Sequence, residues 1–596
     1  MVPGLRERAR GGRLSRVRVL GLVTARAGSK GFPGKNLALL AGRPLVGWAH
    51  AALAGFRARH PELDVRLHLS TDGEAIAAAW PARDRPRRLR PAGLAGDATT
   101  SLEVVRWEVE QERAAGWTPQ VVLLLQPTSP LISGADLSRM WAAYQAGGRD
   151  VIAVRATEHP AQWSLLLSQD GALAPLVPGA TARRRQELAA TVEPVGAYLV
   201  QIADLGQGGV LYDPARVRGV VIPTSRAVDI DARADLTRAE GLLADRGPRR
   251  LTIGGREVGD GCPCLVIAEA GVNHDGDPAL ALELVRAAAA AGADAVKFQT
   301  FLPEELVASG APKAAYQLER TGAGESQLEM LRKLALPAQV LPRLRDEASR
   351  LGLLFLSTPF DLASARALRE LGVPGFKVGS GDATHLPFLE ELAGYGLPLL
   401  VSTGMCTLEE VEQLVAAVAA AGDPPLALLH CTSAYPAPSD QANLRAIPTL
   451  RMVHAGPVGY SDHSLGSEVA LAAVALGASI LEKHLTLDRG RPGPDHAASL
   501  EPGELAGLVA AVRRLEASLG DGVKRPAPCE EDVRRVARRS IVAARDLPAG
   551  TVLGRGDLAC KRPGGGLPPA ALPGLVGRRL RAPLVRDAPL SAEQVE

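Results

Sequence analysis

Apolar residues along this chain come in short runs, separated by longer amphipathic stretches rich in Ala and Leu. Residues 17–24 read as a strand, 25–35 as a loop, and a helix is predicted from about Pro44. Further runs at 65–69, 121–125, 151–154 and 220–222 alternate with helical segments, the pattern of a doubly wound α/β sheet ending near Asp245. Residues 246–261 are rich in Gly and Arg and lack apolar periodicity, so they read as a linker or an irregular entry strand.

Eight further strand-like runs follow, at 265–268, 295–298, 353–356, 375–378, 399–401, 426–429, 458–460 and 480–481. Most gaps between them leave room for a helix, which is the arithmetic of a (β/α)8 TIM barrel. An open α/β sheet has the same periodicity. Closure is favoured because polar residues follow almost every run: Glu269 and Asn273, Gln299, Ser357 and Thr358, Ser380, Ser402 and Thr403, Thr432, His463, and His484. Barrels carry their active sites at that C-terminal rim. Beyond about Lys524 the texture changes to small β-type runs and turns, too short to host catalysis alone and suited to completing a neighbour's site or an oligomer interface. The expected domains are therefore 17–245, 246–523 and 524–596, with no internal repeat or low-complexity segment.

At 596 residues the chain exceeds what one core supports. Its net charge of +3 is spread among interleaved Arg, Asp and Glu, leaving no basic block for nucleic acid or an anionic membrane. Small anionic metabolites fit better. The six cysteines (Cys262, Cys264, Cys406, Cys431, Cys529, Cys560) form no paired CxxC set, which argues against a disulfide framework or a structural zinc and for a reducing cytoplasm. Residues 1–16 are basic without an apolar h-region, and the Ala-rich runs are interrupted before spanning length, so neither export nor a membrane span is expected.

Two strings carry the sharpest chemistry. Ser461-Asp462-His463 and Glu482-Lys483-His484 each put a histidine at the close of a strand-like run, and together they look like two ligands of one catalytic metal. A core histidine is the bland alternative for either alone. The same rim offers Glu269, Asp495, Lys297, Lys377 and several hydroxyls. Lysines with hydroxyls suit a phosphate, and a histidine pair suits a borderline divalent metal with open positions, which suggests a phosphorylated substrate beside a Lewis acid.

Taken as whole strings, Ile267-Ala268-Glu269-Ala270-Gly271-Val272-Asn273-His274, Val296-Lys297-Phe298-Gln299-Thr300, Phe376-Lys377-Val378-Gly379-Ser380-Gly381, Ser402-Thr403-Gly404-Met405, His430-Cys431-Thr432-Ser433-Ala434-Tyr435-Pro436, the two histidine strings and Pro492-Gly493-Pro494-Asp495-His496 resemble the N-acetylneuraminate synthase family. Lys561-Arg562-Pro563-Gly564 resembles the antifreeze-like (SAF) domain, a small β-clip, that ends its members. The resemblance covers roughly residues 261–596 in collinear order. It implies condensation of phosphoenolpyruvate with the open-chain aldehyde of an N-acyl hexosamine, such as N-acetylmannosamine, to a nine-carbon 2-keto acid with release of phosphate. Carried over, His463 and His484 hold a divalent metal, Mn or Mg; Lys297, Lys377, Ser380 and Ser402 bind phosphoenolpyruvate; Glu269, Gln299, Tyr435 and Asp495 contact the sugar or the reacting centre. Arg562 reaches the sugar's acyl end from a partner, which implies a domain-swapped homodimer.

The first domain has its own loop, Thr24-Ala25-Arg26-Ala27-Gly28-Ser29-Lys30-Gly31-Phe32-Pro33-Gly34-Lys35-Asn36, between a strand and a helix. Its glycines expose backbone N–H groups, and Arg26, Lys30 and Lys35 add the charge a triphosphate needs; it is not a Walker A loop. Ser70-Thr71-Asp72, the stretch from Leu124 through Gln126 to Pro130, and Ala227-Val228-Asp229-Ile230-Asp231 resemble the acylneuraminate cytidylyltransferase family, whose sheet is nucleotidyltransferase-like. On that resemblance Arg26, Ser29, Lys30, Lys35 and Asn36 form the triphosphate loop, Arg90 and Ser101 lie near the nucleotide, and Gln126 faces the sugar acid. Asp229 and Asp231, alternating along a strand, hold Mg between two carboxylates. Val195 stands where that family's pattern carries Asn before Gly-Ala, a departure that bears on sugar recognition.

The sequence therefore describes a bifunctional enzyme that makes a sialic-type (nonulosonic) acid in one half and activates it with CTP in the other. The alternatives are an eight-carbon ulosonic acid synthase fused to its cytidylyltransferase, or one half serving only as a binding module. The choice among neuraminic, legionaminic and pseudaminic acids stays open.

Overall fold

The computed structural model describes residues 16–28, 32–86, 88–147, 150–157, 159–177, 184, 186, 188–206, 209–244, 247, 249–315, 317–318, 322, 324–562 and 565–596. The chain divides into two compact units, Met1–Glu516 and Ala517–Glu596.

The first unit opens with a six-stranded sheet of β1 (Arg18–Thr24), β2 (Asp64–Ser70), β3 (Val121–Leu125), β4 (Val151–Ala156), β5 (Val192–Gln201) and β6 (Arg218–Val221), in spatial order β6-β4-β5-β3-β1-β2. Helices α1 (Leu45–Arg59), α2 (Ser101–Ala114), α3 (Gly134–Gly147) and α4 (Arg233–Ala244) accompany it. The expected runs are all strands, but β5 is an addition: it lies in the middle of the sheet, antiparallel to both neighbours. Pro194 and Gly196 hide it from the sequence, since both are depleted from central strands. The register with β4 shifts between Ile152 and Val154, the latter opposite Pro194, so the irregularity falls where a residue without an N–H needs it.

Residues 249–261 are not an unstructured linker. β7 (Arg250–Ile253) and β8 (Arg256–Gly259) form an antiparallel hairpin, turned by Gly254 and Gly255 at φ 56 and 80°. Its Leu251, Ile253 and Val258 pack against Leu265, Ile267, Ala295, Leu356, Leu400, Ala427, Leu429 and Ile480. These are lumen residues from the early parts of the barrel strands, so the hairpin plugs the end opposite the polar rim.

The barrel consists of β9 (Leu265–Gly271), β10 (Ala295–Thr300), β11 (Leu354–Pro359), β12 (Phe376–Val378), β13 (Leu399–Ser402), β14 (Leu426–Cys431), β15 (Val458–Asp462) and β16 (Ile480–His484). They stand in chain order, parallel to one another, and β16 pairs back onto β9; β11 and β12 meet at the seam. With β11 and β12 in contact but not paired by a ladder, the sheet is a near-closed barrel. Most strands continue past the apolar runs read from the sequence, because the polar rim residues lie within the strands and face the lumen by alternation. The chain is thus α/β throughout its first unit.

Within this unit the two halves touch through α5 (Leu408–Ala420) and α6 (Ala446–Val453). Arg43 pairs with Glu412 at 2.6 Å and Arg83 with Glu409 at 3.0 Å, while Met452 and Val453 pack on the cluster of Leu45, Trp48 and Leu243. Helix α7 (Pro502–Leu519) closes the barrel's helical layer.

The second unit holds an antiparallel pair, β17 (Ser540–Ala543) and β18 (Leu558–Lys561), around a core that includes Ile541, Leu547, Leu553, Leu572, Leu580 and Leu590. Among the described residues no helix is long and apolar enough to cross a membrane.

Candidate active sites

At the rim end of the barrel, alternation brings Glu269, Lys297, Gln299, Lys377, Ser402, Ser461, Glu482 and His484 to the lumen, each buried except the partly buried Gln299. Lys297 Nζ lies 2.8 Å from Glu269 Oε1 and donates to Thr358 Oγ1 at 3.0 Å; Gln299 Nε2 donates to the same Glu269 oxygen at 3.1 Å. Lys377 Nζ donates to Ser402 Oγ at 2.7 Å. Both lysines face Glu482, at 3.9 and 3.6 Å, and Glu482 also accepts from Ser461 Oγ at 2.7 Å. The carboxylate at the centre of this network is thus Glu482, a residue to which the sequence assigned no role. Its signal was its position two before His484, on the same face of the strand.

Burial alone would raise the Glu482 carboxyl, but Lys297 and Lys377 outweigh it and hold it at about 2. Glu269 is pushed up, by burial and by the charge on Glu482, against the pull of Lys297. Burial lowers Lys377, whereas the two carboxylates beside Lys297 outweigh burial and raise it. Two ammonium groups and two carboxyls therefore share one dry pocket. Glu269 Oε2, Glu482 Oε2 and His484 Nδ1 are buried there without a hydrogen-bond partner, which marks a cradle for a polar ligand.

Next to it the rings of His463 and His484 lie 5.3 Å apart, with Tyr435 4.1 Å from His463 and 5.7 Å from His484. His463 Nδ1 donates to the Thr432 carbonyl at 2.9 Å, which leaves Nε2 as its free lone pair. Burial, then His463 itself, keeps His484 well below its ordinary value and so neutral. Asp495 Oδ2 is 3.9 Å from His484 Nδ1. Burial lowers His463, but Cys431 and the Thr432 carbonyl outweigh it and raise it, so His463 would give up its proton to a bound cation, and the pair then fits a borderline metal that keeps open positions. Among the described residues no three His, Cys, Asp or Glu side chains gather as a full ligand set, so the remaining positions would fall to water or substrate. Ser380 joins the same end, accepting from the Gly404 N–H at 3.0 Å.

The first domain's site stands on loops after β1 and β2. Ala27 N–H donates to Asp72 Oδ1 at 2.9 Å, Asn36 Nδ2 to the Arg26 carbonyl at 2.9 Å, and the buried Arg90 lies 3.7 Å from Asp72. Arg26 pairs with Asp97 at 2.6 Å and Lys35 with Asp231 at 3.0 Å. Ser101 opens α2, whose N-cap is Thr100, and the Gln126 N–H donates to the Gly196 carbonyl at 2.7 Å. Ser29 and Lys30 lie outside the described residues. Asp229 and Asp231 are not on a strand as expected: the segment after β6 has no ladder partner, although buried Val228 and Ile230 still alternate with the two exposed aspartates. Burial of the apolar pair, not sheet pairing, produces that alternation. Gly196 approaches Ser129 so closely that a Cβ there would sit 2.3 Å from Ser129 Oγ, and the neighbouring Val195 is buried.

A cleft of about 1190 Å³ between α1 and α5 contains none of these residues. Arg562 belongs to the second unit, where it is exposed directly after β18.

Fold and sites define an α/β enzyme with two separate polar centres. Residues 284–524 match the model of the NeuB family, 538–596 that of the SAF domain and 20–169 that of a cytidylyltransferase. Over 354 residues the chain is 44% identical to the N,N'-diacetyllegionaminic acid synthase of Legionella pneumophila, covering 59% of this chain and 99% of that protein. The Campylobacter jejuni protein of the same name is 44% identical over 305 residues (51% and 91%), and the C. jejuni pseudaminic acid synthase 33% over 316 (53% and 92%). The chain belongs to the NeuB family, and in front of that barrel it carries a cytidylyltransferase domain.

Proposed function

We propose that the barrel condenses phosphoenolpyruvate with an N-acyl hexosamine, and that the first domain transfers CMP from CTP to the resulting nonulosonic acid. The observation that carries the first step is the Lys297/Lys377/Glu482 network beside the histidine pair, which supports a trianionic substrate held against a reacting carbonyl. Lys297, Lys377, Ser380 and Ser402 bind the phosphate and carboxylate. A divalent cation held by His463 and His484 would polarise the sugar aldehyde. C3 of phosphoenolpyruvate adds to that aldehyde, water adds at C2, and phosphate leaves from C2, giving the 2-keto acid. Glu269, bridged by Lys297 and Gln299 and pushed up in pKa, is suited to handle the proton of that water. Tyr435 and Asp495 orient the sugar. Arg562 reaches its acyl group from a partner in a swapped homodimer.

In the first domain, Arg26, Lys30, Lys35 and Asn36, with Ser29, hold the triphosphate, and Arg90 and Ser101 the nucleotide. The anomeric hydroxyl, placed by Gln126, attacks the α-phosphate and pyrophosphate leaves; Asp229 and Asp231 would hold Mg, which offsets the developing charge. Because the chain is 44% identical to the two N,N'-diacetyllegionaminic acid synthases and 33% to the pseudaminic acid synthase, a diacetamido hexose of the legionaminic series is the sugar to try first. The test is incubation with phosphoenolpyruvate, CTP, Mg and Mn against a panel of N-acyl hexosamines, read by mass. A CMP-nonulosonate from one of them is expected; phosphate release only when a five-carbon aldose phosphate replaces them, giving an eight-carbon acid, or none with any sugar, overturns the reading.

A further inference from the structure

The two histidine-bearing strands carry a second pair of charges on the face turned away from the lumen. Register sets Ser461 opposite Glu482 and Asp462 opposite Lys483. Asp462 and Lys483 therefore share a face with Val458, Tyr460, Leu481 and Leu485, which belong to the apolar layer between strands and helices. Both side chains are completely buried there and 2.7 Å apart. Lys483 Nζ also donates to the Ser464 carbonyl, while Asp462 Oδ1 accepts from Ser464 N at 2.9 Å and Oγ at 2.7 Å.

An ion pair in such a layer is a poor source of stability, because desolvation of the two charges offsets their attraction and an apolar pair of similar volume does as well or better. What this pair supplies is geometry. It ties residues 462 and 464, on either side of His463, to the residue immediately before His484. The lumen side chains that share the strands, Ser461 and Glu482, are joined in the same register.

We propose that Lys483 and Asp462 are positioning residues that fix the separation of His463 and His484. The proposal rests on the reading that these histidines hold a divalent cation. The test uses the full chain in an Asp229→Ala/Asp231→Ala background, so that the first domain's carboxylates do not contribute, and measures Mn2+ binding by the loss of the free-ion electron paramagnetic resonance signal. Lys483→Met and Asp462→Asn each strand one buried charge and can fail to fold, so the deciding variant is Lys483→Met/Asp462→Leu, with circular dichroism and melting recorded in parallel. Expected is a native spectrum, a melting temperature lowered only by the Ser464 groups left without partners, and Mn2+ affinity roughly 10- to 100-fold weaker. In condensation assays kcat falls while KM for phosphoenolpyruvate, which the lysines set, stays. Wild-type affinity in the double variant overturns the proposal, as does an affinity that falls only in step with lost native structure. His484→Ala separates the two readings: if it binds Mn2+ like the unmutated barrel, the metal reading itself fails, whereas loss there with full affinity in the double variant sinks only the positioning role.

Discussion

The barrel site and the first domain's site are built in opposite ways. In the barrel, Glu269, Lys297, Lys377 and Glu482 sit inside strands of a near-closed sheet, with side chains no more than 5% exposed. In the first domain, Arg26 on a loop and Lys35 at the start of a short 3-10 helix are paired with Asp97 and Asp231, which are 52% and 78% exposed. A dry, strand-borne cluster has its charges fixed before substrate arrives, and each group depends on the others. Exposed loop pairs are worth about 1 kcal/mol or less, so an incoming triphosphate can displace them at little cost. On the proposed function, one site is preorganised and the other is remade by its ligand.

That contrast is broken most directly through Glu482. Glu482→Gln leaves Lys297 and Lys377 facing no shared carboxylate, and the barrel is expected to lose about 3–5 kcal/mol in urea unfolding. Asp231→Asn, removing the partner of Lys35, is expected to change stability by about 1 kcal/mol or less while still impairing CMP transfer. Equal costs would erase the distinction.

Acid sharpens it. Asp136, in the first turn of α3, is buried, and although burial alone would raise it, Arg226, Ser133 and Arg139 hold it at about 2. Because the folded value is depressed, its stabilisation is present above about pH 4 and is lost as pH falls toward 2, roughly 2 kcal/mol in all. Asp136→Asn should flatten the first domain's stability over that window; an unchanged acid limb would mean that this domain's scaffold is as loosely held as its loops.

The smallest effect is expected where the halves meet. Arg83→Met removes the partly exposed pair with Glu409 and should cost about 1 kcal/mol or less in melting, with both half-reactions unchanged. A large loss in either reaction would mean that the sites are coupled through this contact.

Much of this was legible because it depends on local pattern. The eight barrel strands showed as apolar runs, and the rim residues as polar punctuation after them. What escaped notice has a common cause: the residue's role is set by neighbours distant in sequence. Glu482 matters because strand order brings Lys297 and Lys377 to it. β5 is a strand despite Pro194 because a shift in its pairing with β4 accommodates the missing donor. The hairpin at 250–259 was signalled by Gly254-Gly255, but its charged flanks masked the alternating Leu251, Ile253 and Val258 that plug the barrel. Asp229 and Asp231 share a side as expected, yet without a sheet to hold them.

The central claim is that this chain carries two independent, consecutive reactions, and one assay tests it most directly. His484→Ala and Asp231→Ala proteins are each supplied either with phosphoenolpyruvate, hexosamine and CTP, or with ready-made nonulosonic acid and CTP, and the products are weighed. The account predicts that His484→Ala loses at least about 100-fold in keto acid formation yet converts supplied acid to its CMP derivative. Asp231→Ala should accumulate the keto acid and make little CMP-sugar from either mixture. Undiminished condensation by His484→Ala, or undiminished CMP transfer by Asp231→Ala, would contradict it.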